Sequence, residues 1–170
     1  VCLGVDGAMA VPDAKTAAAL FGLGRAQAAT LGRQQLDVAF TSLRRAFDFY
    51  AETKDVDAAV SVAVYPMQPL PGHRVAVELV TRALELVPSD SSEAGHLLSR
   101  YVLVMGLEEG DYQGAMDACD SALAIAQRTG DVELEMRTLA YSSTVAYWPL
   151  RWQGPVTKGF RVIDLPRPAA

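Results

Sequence analysis

Cysteine is nearly absent from this chain: Cys2 and Cys119 are the two among 170 residues. One falls in a loose N-terminal stretch and the other in the apolar stripe of a helix. Two free thiols in a reducing cytoplasm are therefore expected, rather than a disulfide. Histidine is equally scarce. His73 and His96 have no His, Cys or acidic partner at metal-ligating spacing, so both read as solvated side chains and no metal site is expected. No apolar run approaches the roughly 18 to 20 residues of a membrane span, and no charged-apolar-small pattern marks a signal peptide. Positive charge is outnumbered, with 15 Lys and Arg against 20 Asp and Glu and a net charge of −5. That balance argues against non-specific binding to nucleic acid, which needs a basic surface. Gly4-Val5-Asp6-Gly7 lacks the following Gly-Lys-Ser/Thr of a phosphate loop. The chain begins at Val1 rather than Met, which reads as a piece of something longer.

What is present is apolar and helical. Half of the residues are hydrophobic (51%) and 21% are charged, enough to build a core and too apolar for disorder. The stretch Gly110 to Ile125 shows the organising pattern. Gly110 and Asp111 make a turn and an N-cap. Ala115, Cys119 and Ala122 then fall on one helix face, where small side chains let a second helix approach closely. The face recurs as Ala39, Leu43, Ala46, Phe47 and as Ala76, Val80, Ala83, Leu84. The third copy is Ala115, Cys119, Ala122, Leu123, and a degraded fourth is Pro155, Gly159, Val162, Ile163. The offsets between first residues are 37, 39 and 40. Periods in this range mean helix pairs that stack to bury faces they cannot bury alone.

Capping residues divide the chain further. Residues 1–12 read as a flexible lead-in, 13–165 as the repeat domain and 166–170 as a tail. Asp13 caps a first helix to about Thr30, weakened by Gly22 and Gly24 unless a partner packs close to them. A second helix runs from about Arg33 to Thr53. Asp55 caps a third, which ends at Pro66, and residues 67–71 make a Pro-punctuated turn. A fourth ends at Val87 before Pro88. Ser91 or Ser92 caps a fifth, which runs to about Glu109. Asp111 caps a sixth, which ends at Gly130, and Asp131 caps a seventh, which Pro149 should stop. A short eighth helix from about Pro155 to Leu165 would complete a fourth pair.

The Ala-spaced stripes, the Ala-Leu that follows them, Pro88 and Leu23-Gly24 resemble the tetratricopeptide repeat. The longer periods and the phrases Ala122 to Gln127 and Thr129 to Glu133 resemble more narrowly the repeat region of large ATP-binding bacterial transcription regulators of the LuxR type. The resemblance implies an all-α superhelical array of about four antiparallel helix pairs. It also implies a non-enzymatic module that senses an effector or partner for ATPase and DNA-binding parts on either side. The alternative is a free-standing scaffold. In that family the first helix of each pair lines a concave groove. The positions carried over are Phe21, Arg25, Tyr65, Arg100, Val104, Arg137, Thr144 and Trp148. Arginines with aromatic neighbours there would grip a carboxylate-bearing peptide or small effector. The remaining polar clusters suggest no catalysis. Glu108-Glu109 with Asp111 reads as a solvated helix end, and Ser142-Ser143-Thr144 has no local base. No enzyme activity and no cofactor are expected. The open C-terminal edge, Trp148 to Leu165, is expected to self-associate.

Overall fold

Helix starts are written into this chain as side-chain caps. A computed structural model describes residues 13–67 and 74–163, with side chains as far as residue 147. In it Asp13 accepts from the Thr16 amide at 2.7 Å and Asp55 from Ala58 at 3.2 Å. Ser91 accepts from Ala94 at 3.1 Å, Asp111 from Gly114 at 2.9 Å and Asp131 from Leu134 at 2.9 Å. Each bond satisfies an amide that the first helical turn leaves open. The helices that follow are α1 (Ala14–Thr30), α3 (Val56–Ala63), α5 (Ser92–Val104), α6 (Tyr112–Thr129) and α7 (Val132–Ile163). Two more, α2 (Leu36–Glu52) and α4 (Val75–Leu84), start without a capping side chain. The architecture is all-helical, and no strand occurs among the described residues. Cys2, His73, the turn at residues 68–71 and the tail lie outside them.

The chain divides into two compact units after Val62. In the first, α1 packs on α2 through the expected stripe: Ala39, Leu43, Ala46 and Phe47 are all buried. Gly24 makes the contact possible. A Cβ there would lie 2.8 Å from the Leu43 side chain, whereas one on Gly22 would meet open space. The two glycines that weaken α1 on propensity alone thus differ, and Gly24 is the one that close packing requires.

In the second unit α5 packs on α6, α7 packs against both, and α4 lies against α5. The α6 stripe of Ala115, Ala118, Cys119, Ala122 and Ala126 is buried, with Val102 and Val145 joining one end and Leu134 the other. Ala76, Val80 and Ala83 of α4 are buried too. Gly130, at φ 70°, ends α6 in the left-handed conformation that glycine adopts without a Cβ penalty.

Two expectations are corrected. The helix that starts at Val132 does not stop at Pro149. It runs to Ile163, so no separate eighth helix forms and the fourth copy of the stripe falls within α7. A helix continues past a proline when the turns on either side outweigh the one amide bond lost. The end of the fifth helix also differs. After Val104 the chain makes a wider turn of π-helix, Met105–Glu109, before Gly110 reverses it. That turn carries Glu108 into the interior, where it is buried rather than solvated.

Candidate ligand-binding site

Residues four apart share a helix face. On α5 that places His96 and Arg100 together, and on α7 it places Arg137 and Tyr141 together. Because α5 and α7 pack side by side, the two pairs meet. They line a depression of about 150 Å³, closed on another side by Val64 and Pro66. No carboxylate lines it among the described residues. The nearby acids face the lining bases rather than line the depression. Asp131 Oδ2 lies 3.4 Å from His96 Nε2, Glu133 lies 3.6 Å from Arg137, and Glu108 acts electrostatically on Arg100.

Arg100 is the buried member, 3% exposed. One of its terminal nitrogens donates to the Met67 carbonyl at 2.7 Å, and no described residue accepts from its Nε. Burial pushes its pKa below the ordinary arginine value, opposed by the Tyr141 phenol and the Glu108 carboxylate. Guanidinium does not deprotonate in proteins, so a full charge sits at the back of the site. A buried charge with an unused donor is costly to hold, and an incoming acceptor relieves that cost.

Arg137 is the accessible member. Its Nη2 contacts His96 Nδ1, and its Nη1 faces Glu133, a largely exposed partner that contributes little. Arginine only donates, so His96 Nδ1 must accept. The ring proton then sits on Nε2, facing Asp131. Asp131 is doubly used, since its other oxygen caps α7. The lining therefore offers guanidinium and phenol donors in a partly buried setting, which suits an oxyanion.

Of the residues carried over from the repeat resemblance, the structure brings Arg100 and Arg137 together at this depression. Phe21 and Arg25 meet each other in the first unit, the guanidinium carbon 5.6 Å from the ring centre. Tyr65 is half-buried between two lining residues, and Val104 is fully buried in the core. Thr144 is exposed and donates to the Ala140 carbonyl. The Trp148 side chain lies outside the described residues. His96, expected to be solvated, is instead held by Arg137 and Asp131. Sequence reading missed His96 and Tyr141, although the spacing His96/Arg100 and Arg137/Tyr141 was there to be matched.

Among the described residues, no group of three or more His, Cys, Asp and Glu could hold a metal ion, and no helix is long and apolar enough to cross a membrane. No family model, curated protein or solved structure matches the chain.

Proposed function

We propose that this chain is a helical interaction module that captures a carboxylate-bearing partner, an acidic peptide or a small effector, between α5 and α7. The observation that carries the reading is the composition of that depression. Two arginines, a phenol and an imidazole converge on about 150 Å³, and no carboxylate is among the described lining residues. The size suits one acidic side chain or a small organic acid. Arg137 supplies the planar fork that binds a carboxylate through two parallel bonds, and Arg100 supplies buried charge.

The Ala-spaced stripes support placing the module in a tetratricopeptide-like array, and through it in an ATP-dependent transcription regulator of the LuxR type. Gene sequence on either side of the chain tests that extension. A phosphate loop upstream and a helix-turn-helix downstream would support it, and their absence from the full reading frame would reject it.

Binding is tested by titrating ¹⁵N-labelled protein with an acetylated, amidated peptide whose only charge is one glutamate. Resonances of α5 and α7 around His96 and Arg137 are expected to shift saturably. Arg137→Ala is expected to remove the shifts, and the matching glutamine peptide should cause none. Equal shifts from the glutamine peptide would sink the proposal.

A further inference from the structure

We infer that His96 is a proton gate on this site, tightening its hold on a carboxylate as the imidazole becomes charged. The inference rests on the reading of the depression as a carboxylate site and adds its regulation. His96 contributes the one imidazole to the lining, the side-chain type that ordinarily changes charge between about pH 5 and 8.

The geometry gives two states of the ring. In the state shown, Nδ1 accepts from Arg137 and Nε2–H faces Asp131 at 3.4 Å. Protonation converts Nδ1 into a donor. The contact with Arg137 is then lost, because two donors and two like charges face each other. The ring keeps Asp131 as a partner, now as a charged pair, so it does not need to leave the site. Arg137, freed from His96 and held otherwise by exposed Glu133, can turn its fork to an incoming carboxylate.

The groups around His96 are accounted for from each side. On α5 itself Glu93 lies one turn before and Arg100 one turn after. The α7 side brings Asp131, Glu133, Arg137 and Tyr141. The stretch before Met67 brings Val64 and Pro66. Helix α6 presents apolar Ile125 and Ala126 beside Gly95 and Ala94, and α4 with the turn after it presents Leu84 and Val87. Asp131, Glu133 and Glu93 favour the charged ring, while Arg137 and Arg100 oppose it. A bound carboxylate adds a negative charge on the side of the two arginines and tips that balance toward the charged form. By linkage, whatever favours protonation on binding makes protonation favour binding equally.

The competing effect is that protonation undoes the fixed position of Arg137. Losing the order of one side chain costs less than a full charge gains at short range in a partly buried site. Affinity is therefore expected to rise as pH falls.

The test uses the whole chain and the single-glutamate peptide. Between pH 8 and pH 5.5 the dissociation constant is expected to fall by about tenfold, inside the usual range of coupling between two sites. The glutamate itself stays largely ionised above about pH 5.5, and its own protonation would weaken binding, the opposite sign. Calorimetry at intermediate pH, in buffers of different ionisation heat, should show net proton uptake on binding. His96→Asn should abolish both the pH dependence and the uptake. Independently, ¹⁵N-histidine spectra of the unaltered chain should show an Nε2–H ring that becomes doubly protonated as peptide saturates the site. His73 is the only other histidine, so the signals are few. Binding that is equally tight at both pH values, or a ring that stays neutral at saturation, overturns the gate and leaves the carboxylate site standing. Absence of peptide binding at every pH overturns both.

Discussion

The two units of this chain solve the same packing problem and differ in what they bury. Each presses helices together at a glycine. A Cβ on Gly24 would meet Leu43 at 2.8 Å in the first unit, and one on Gly95 would meet Leu134 at 2.7 Å in the second. Each lines the contact with alanines. Polar burial separates them. Among the described residues of the first unit the buried polar side chain is Ser42, which donates to Gln27 at 2.9 Å. The second buries Arg100 and Glu108 as well as Ser99 and Thr138. A neutral hydroxyl finds its partner on the neighbouring helix at little cost. A guanidinium in the interior is a net burden unless geometry compensates it. The difference teaches where to look for function, because the alanine stripes are common to both units while Arg100 and Glu108, buried as whole residues, belong to the second.

The largest expected effect breaks that contrast. Arg100→Ala leaves the buried Met67 carbonyl without its charged donor and opens the space that the guanidinium fills. Losing a buried hydrogen bond made by a charged group typically costs about 1.5 to 3 kcal/mol. Ser42→Ala in the first unit should cost only about 1 kcal/mol, the usual worth of a neutral hydrogen bond. Urea unfolding of the two variants measures both, and similar losses would erase the distinction.

Packing variants sharpen the common half of the comparison. Gly24→Ala and Gly95→Ala should each destabilise by about 1 to 3 kcal/mol, the range for overpacking a close contact. Ala115→Leu and Ala122→Leu should fall in the same range, since both alanines are fully buried. Gly22→Ala should do the reverse and stabilise by up to about 1 kcal/mol, since the site is open and alanine is the better helix former. Thermal melts of this set check the helix registers one by one. Leu variants that melt with the parent would show the α6 register to be misplaced.

The smallest expected effect concerns acid. The Asp13 carboxyl is held below its ordinary pKa by hydrogen bonding with Thr16. A depressed folded value contributes stability above the unfolded pKa and loses it as pH falls through the folded one. Asp13→Asn should therefore slightly flatten the acid limb of a stability–pH curve and leave the neutral and alkaline limbs parallel to the parent.

The elements that local chemistry specifies were legible in the sequence. Asp13, Asp55, Asp111, Asp131 and the Ser91-Ser92 pair mark helix starts because a cap needs only its own next three residues, and the structure selects Ser91 of the pair. The stripes at Ala39, Ala76 and Ala115 showed which faces would be buried, because helical spacing is local too. The burial of Glu108 was not legible, because it depends on a π turn that changes the period at Met105–Glu109. The run of α7 through Pro149 was hidden for a related reason: proline penalises a helix without forbidding it. At the site, the family pattern points to Arg100 and Arg137. His96 carries no local signal, because its partners, Arg137 and Asp131, stand more than thirty residues away in sequence. The expected self-association through Trp148 to Leu165 concerns side chains outside the described residues.

Charge reversal of one arginine in each unit tests the central claim most directly. Arg25 lies over Phe21 in the first unit, and Arg137 lines the depression in the second. Arg137→Glu and Arg25→Glu make the same change in net charge. Both should stay folded by circular dichroism, because neither residue is fully buried. Titrated with the single-glutamate peptide at one pH and ionic strength, Arg25→Glu is expected to bind as the parent does and Arg137→Glu to show no saturable binding. Binding retained by Arg137→Glu, or lost equally in both variants, would contradict the assignment of recognition to the α5–α7 face.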